Sequence, residues 1–269
     1  MSRELLLALD LGTTGVRALV VAPDARVLSR VYRPLSATFP EPGQVEQDPQ
    51  EMWDKSFEVL QGALATARVD AREVAGLGIV SQRSTVIAWE ADSGRVLAPA
   101  ISWQDQRTAR EVADWNAKGI PINTLASATK FRWWLDHAPA VQDAARRGTL
   151  CYGTPESWLG FKLAGPEGFV TEPGHASCTA LFDAAAGEWS EGLAGLFGVD
   201  PAFLPRVVAS SAVAGETPAE LLGAPIPVAA RAGDQQASTF AQAVHREGEA
   251  KLTLGTSGML DLHTGTGPG

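Results

Sequence analysis

Apolar residues dominate "ELLLALDL" (4–11) and "VRALVV" (16–21), and the polar turn Gly12-Thr13-Thr14-Gly15 separates them. Runs this apolar predict strands of a buried sheet, and the glycine-bearing turn between them predicts a hairpin. "RVLSRVYRPL" (26–35) follows a second turn at "APDA" and predicts a third strand. The Pro- and Gly-rich "FPEPGQVEQ" reads as a loop into a helix. There Asp48 is placed to cap, Pro49 to take the first helical position and Glu51 to complete a capping box. Trp53, Phe57, Leu60 and Leu64 share one face of that helix. "VAGLGIV", "TVIAWE" and "VLAPAISW" predict further strands, so the opening hundred residues read as a mixed α/β unit.

Residues 107–163 carry mostly helical patterns. "RTAREVADWNAKG" ends at Gly119, "SATKFRWWLDHAP" starts with Ser127 as cap and stops before Pro139, and "AVQDAARRG" ends at Gly148. Trp134 shares a face with Phe131 and Leu135. Trp133 points elsewhere, toward a neighbouring loop or a substrate. Later, "PIPVAARAG" predicts a strand that delivers Asp234-Gln235-Gln236 into a helix. "AKLTLGTSGMLDLHTG" predicts a second hairpin whose Gly-Thr-Ser-Gly turn echoes the first.

The 269 residues are 45% hydrophobic and 20% charged, enough for a substantial core. A net charge of −9 argues against a nucleic-acid or anionic-membrane partner. Cys151 and Cys178 stand too far apart for a metal motif and are too few for a disulfide scaffold, which suits a reducing cytoplasm. No apolar run reaches the length of a membrane span, and no targeting peptide is visible. His137, His175, His245 and His263 lack metal-ligand spacing and read as surface or packing residues.

Two readings of the first turn stand side by side. One is an ordinary polar hairpin. The other is a phosphate cradle, because backbone N–H groups, the Thr13 and Thr14 hydroxyls and Arg17 converge there, with Asp10 placed for Mg²⁺. Asp234, following a glycine at a helix start, reads as a helix cap. Glu156, inside "TPESW", reads as a cap partner.

The paired Gly-Thr hairpins, joined by an α/β insert ending in Gly-Asp-Gln, resemble the FGGY carbohydrate kinases. "PGQVEQDPQEMW", "SQRSTVIAWE", "AISWQDQRTA", "ATKFRWWLDH", "YGTPESWLGFKL", "HASCTALFD" and "AGDQQAS" follow in the family's order, closest to its glycerol kinase-like members. The resemblance implies the α/β ribonuclease H-like/actin-like ATPase fold. It implies an N-terminal, substrate-side domain over 4–247 and the start of a nucleotide-side domain over 248–269. The activity implied is ATP-dependent phosphorylation of a sugar or polyol, with Mg²⁺. An incomplete relative that binds sugars or regulates without turnover is the alternative. Asp234 resembles the catalytic base. Arg83, Ser84, Trp103, Asp234 and Gln235 fall on substrate-binding positions. Asp10, Thr13, Thr14, Arg17 and Thr256 fall on cofactor-binding positions, with Asp10 nearest the metal. No Walker-type glycine loop with a lysine is present.

Several positions depart from the glycerol kinase-like pattern. Ser84 stands where a glutamate is expected, Leu125 where a pocket tyrosine is expected, and Met259 where an aromatic is expected. The sequence stops soon after the second hairpin, so the resemblance places the adenine pocket outside it. On that resemblance the sequence is a fragment of a longer kinase, the product of a truncated gene, or one half of an enzyme completed by a second polypeptide, with a homo-oligomer or a separate C-terminal half among the partners it allows.

Overall fold

The computed structural model describes residues 3–254 and 258–265. Its central sheet contains β1 (Leu5–Leu11), β2 (Gly15–Val21), β3 (Val27–Pro34), β4 (Val74–Ser81) and β7 (Val228–Gly233). Their order is β7-β4-β1-β2-β3. The β1–β2 and β2–β3 pairs are antiparallel, whereas β4 runs parallel to both β1 and β7. The three parallel strands therefore finish at one edge, bringing residues 10–12, 81–83 and 233–234 together. A site at the carboxyl ends of neighbouring strands follows from that topology.

Helix α1 (Pro49–Ala67) packs on β2 and β3 and carries the chain from the sheet edge to β4. Asp48 caps it by accepting the Gln50 N–H at 2.8 Å, and Pro49 begins it. The expected capping box does not form. Glu51 instead accepts the backbone N–H and hydroxyl of Ser36 and pairs with Lys55. The Ser127 cap also fails. Helix α2 (Ser127–His137) has Ala126 at its N-cap, with Ser127 buried inside the first turn. The N–H groups of Ser127 and Ala128 are taken by the carbonyls of Cys178 and Thr179, so tertiary backbone bonds replace the side-chain cap.

Two apolar clusters fill the molecule. One lies between the sheet, α1 and α3 (Pro155–Ala164) and includes Leu9, Val16, Leu60 and Trp158. The other gathers Phe131, Trp134, Tyr152 and Phe197 beside the pair β5 (Ile87–Glu90) and β6 (Leu150–Gly153). Trp133 lies outside this stack, with the Arg107 guanidinium 4.7 Å from its ring centre and His137 stacked on it. Of "VLAPAISW", Ala100–Ile101 forms a short strand, paired with Glu46–Gln47.

Helix α4 (Pro173–Ser177) precedes β7, and α5 (Asp234–Ala241) follows it directly. Strands β8 (Ala250–Leu254) and β9 (Gly258–Leu262) form a separate antiparallel hairpin. Leu252, Leu254, Leu260 and Leu262 on this hairpin are exposed, as is Phe240 on α5. No described helix is long and apolar enough to cross a membrane.

Candidate active site

Asp10 and Arg17 face each other across the β1–β2 ladder and form an ion pair at 3.2 Å. Burial raises the Asp10 carboxyl above its usual range; Arg17 opposes that shift and the charge of Asp234 adds to it. The turn closes through the Gly12 N–H bond to the Gly15 carbonyl at 2.9 Å. The Thr14 carbonyl accepts from the Tyr32 hydroxyl and from the Leu35 N–H, which fixes the turn against β3. Thr256 lies outside the described residues.

Arg83 leaves the end of β4 and meets Asp234 at the start of α5, with Nε 3.5 Å from Oδ1. Asp234 is not the helix cap: Gly233 holds that position, and the Asp234 carboxylate accepts the Gln235 N–H at 2.8 Å. A Cβ on Gly233 would press on the Arg83 stem and the Gln236 amide, so glycine lets the two approach. The Arg83 guanidinium also reaches the Cys178 thiol at 3.5 Å.

Gln235 also engages the hairpin that follows α5. Its amide oxygen accepts from Lys251 Nζ at 2.9 Å, so it ties α5 to β8. The strand hairpin competes for this amide, and nothing local to "GDQQ" announces that.

Ser84 is buried and sits in the left-handed region at φ +62°. A non-glycine residue there needs outside support. The support is Lys130, fully buried on α2, whose Nζ donates to the Ser84 carbonyl at 2.7 Å. Burial pulls the Lys130 ammonium down to about 7. A cavity of about 300 Å³ opens beside this loop. Arg83, Ser84, Ile122, Leu125 and Cys178 are in its lining; Trp103, Asp234 and Gln235 are not.

Trp103 links this wall to the hairpin. Its indole N–H donates to Thr13 Oγ1 at 2.8 Å, and its backbone N–H donates to Thr85 Oγ1 at 3.1 Å. Three further residues, which the sequence reading did not single out for this role, surround it. Gln47 donates to the Thr13 carbonyl at 2.9 Å, Gln82 donates to Gln47 at 2.9 Å, and Thr85 donates to Gln82 at 3.1 Å. Asp105, held bidentately by Arg107, accepts the Val45 N–H at 2.6 Å and anchors the segment that carries Gln47.

Beneath the site, Glu172 accepts the N–H groups of Gly174 and His175 and the Ser210 hydroxyl. Arg231 and Glu156, both buried, approach at 3.8 Å. Glu156 therefore serves no cap; it accepts from Thr171 and faces Arg231. His175 is fully buried, and desolvation pushes its imidazole down to about 3. The folded protein thus keeps His175 neutral where the unfolded chain takes up a proton below about 6.5. Stability should fall as pH drops below that value. This residue alone should contribute a loss of about 2 kcal/mol between pH 6.5 and 5. Urea unfolding at the two pH values, compared with His175→Gln, measures it; an equal slope in the variant would assign the acid sensitivity elsewhere.

Asp10 and Asp234 supply hard oxygen donors, and no group of three or more possible ligands occurs among the described residues. That donor set fits Mg²⁺, which keeps most of its waters and uses one or two carboxylates with substrate phosphates.

The family model "FGGY family of carbohydrate kinases, N-terminal domain" matches residues 5–241. A glycerol kinase of Aromatoleum aromaticum is 45% identical over 273 residues, 98% of this chain and 55% of that protein. One from Bordetella pertussis is 41% identical over 277 residues, 99% of this chain and 54% of that protein. A crystal structure of Plasmodium falciparum glycerol kinase with ADP superposes with TM-score 0.89 at 27% identity, over 96% of this chain and 54% of that one. A xylulose kinase from Rhodospirillum rubrum superposes with TM-score 0.83 at 26% identity, over 95% and 54%. The chain spans about half the length of the curated relatives it matches.

Proposed function

The chain belongs to the FGGY family of carbohydrate kinases, with the ribonuclease H-like/actin-like fold, and we propose that it is the substrate-binding half of an ATP-dependent sugar or polyol kinase. One observation carries the reading. Asp234 stands 3.5 Å from Arg83, while Trp103 connects the same wall to the turn that bears Thr13. These contacts on one sheet edge support reading Asp234 as the base, Arg83 as the hydroxyl-reading cation and the Gly12–Gly15 turn as phosphate-facing.

Phosphoryl transfer needs positioning and charge neutralisation more than covalent chemistry. Asp234 takes the proton of the attacking hydroxyl, and Arg83 orients the substrate. The Gly12–Gly15 turn, with Thr13, Thr14 and Arg17, faces the phosphates. Asp10 would hold Mg²⁺, which when bound would supply charge neutralisation at the transferring phosphoryl group. In this reading residues 4–247 form the substrate-side domain, and a nucleotide-side half supplies the adenine pocket. The exposed leucines of β8 and β9 support a surface for that half. A cytoplasmic setting, where ATP is abundant, suits the activity.

The cavity wall indicates the substrate class. Leu125 and Ile122 offer no hydrogen bond, and Ser84 offers a short hydroxyl where a carboxylate would reach further. Each missing hydrogen bond to a charged group weakens the grip on a small triol by about 1.5–3 kcal/mol. A four- or five-carbon polyol or ketose is therefore expected to outrank glycerol in kcat/KM. A panel assayed with the full-length enzyme at fixed ATP tests this. Glycerol leading by tenfold would overturn the selectivity, and no turnover of any polyol or ketose would overturn the kinase reading.

A further inference from the structure

Five residues from four separate segments form a closed hydrogen-bond circuit: Thr13, Gln47, Gln82, Thr85 and Trp103. Gln47, Gln82 and Thr85 are buried, with 3%, 1% and 0% exposure. Its polarity is fixed by the groups themselves. The Thr13 carbonyl only accepts, so Gln47 must turn its NH₂ toward it. The Gln47 oxygen then faces Gln82, which must also present its NH₂. The Gln82 oxygen is left to accept, and the Thr85 hydroxyl spends its one hydrogen there. Thr85 Oγ1 accepts the Trp103 backbone N–H, and the indole N–H, a donor only, closes the circuit on Thr13 Oγ1. Turning either glutamine would set like against like in a dry interior.

Thr13 is where this polarity matters. Its hydroxyl oxygen already accepts from Trp103, so its hydrogen is free to be donated away from the circuit. A hydroxyl presented as a donor beside a turn suits an anionic oxygen. The residue that positions it is itself tied to Thr85, next to Ser84 in the cavity wall, through its backbone N–H.

We propose that Gln47 and Gln82 are positioning residues that couple the sugar-side wall to the phosphate-facing turn by holding Trp103 and Thr13 in register, with the Thr13 hydroxyl turned outward as a donor. The proposal rests on the kinase reading of the site. Gln47 and Gln82 touch neither substrate nor nucleotide and act through Thr13.

The test uses Gln82→Met and Gln82→Glu in the full-length enzyme. Gln82→Met is expected to lower kcat about 10- to 100-fold, the usual cost of removing a supporting contact, while KM for the sugar moves less than about threefold. Gln82→Glu can restore both ends of the circuit only when protonated, since a neutral carboxyl donates through O–H and accepts through C=O. Its kcat relative to wild type should therefore rise as pH falls, whereas the Gln82→Met ratio stays flat. Independently of turnover, the Trp103 indole N–H, assigned by its loss in Trp103→Phe, should exchange slowly with solvent in the unmodified protein. It should shift in Gln47→Met. Unchanged kcat in Gln82→Met, a pH-independent ratio in Gln82→Glu, or solvent-rate exchange of the wild-type indole N–H would each overturn the coupling. A protected indole N–H in a protein without kinase activity would instead overturn the functional reading.

Discussion

Asp234→Asn is expected to reduce turnover by about a hundredfold or more while leaving affinity for the sugar largely intact. The two side chains have the same shape, and an asparagine oxygen can still accept the Gln235 N–H that Asp234 accepts at 2.8 Å. The start of α5 should therefore keep its geometry, because Gly233 caps it. What disappears is the capacity to take a proton from the attacking hydroxyl. The attraction to Arg83 weakens as well, but Arg83 retains its contact with Cys178. Steady-state kinetics of the full-length enzyme, with sugar binding measured separately by calorimetry, separates the two effects. Near-normal turnover would leave Asp234 as a structural residue at a helix start.

The second large effect concerns stability. Arg231→Met should destabilise the fold by about 3–5 kcal/mol, the cost of stranding a buried charge. Arg231 is almost wholly buried between two acidic residues, Glu156 and Glu172. Glu172 accepts two backbone N–H groups and a hydroxyl. Glu156 has no such set of donors, and burial pushes its carboxyl up to about 8, so it holds its proton at neutral pH. Arg231 then balances Glu172.

Glu156→Gln should accordingly cost less than about 1 kcal/mol, because the native carboxyl is already neutral. The pH dependence follows with a definite sign. The folded state keeps the Glu156 proton up to about 8, while the unfolded chain releases it above about 4.5. Its contribution to stability falls as pH rises through that interval, and Glu156→Gln should flatten the fall. Urea titrations of both variants at pH 5 and pH 8 give the answer. An Arg231→Met loss below about 1 kcal/mol would mean that Arg231 does not hold the two buried acids together.

Elements whose signals lie within a few residues of one another were legible along the chain. The Gly12–Gly15 turn made the β1–β2 hairpin, Asp48 and Pro49 started α1, and Gly148 in the left-handed region ended a helix. The strand ending in Gly233 delivered Asp234 into α5, and the ordered set of motifs carried the family resemblance. The partners of the buried polar side chains were set by packing between distant segments. Gln47 and Gln82 stand 35 residues apart, Thr13 and Trp103 stand 90 apart, and Lys130 reaches Ser84 across 46. A glutamine bound for a buried circuit has the same local pattern as one bound for solvent. The same limit applies to Glu51 and Glu156, whose neighbours suggested a capping box and a cap partner. Their partners came from distant segments, and a donor near a buried acceptor bonds to it whatever the local motif favours, because leaving either group unpaired in the interior costs more than the cap contributes.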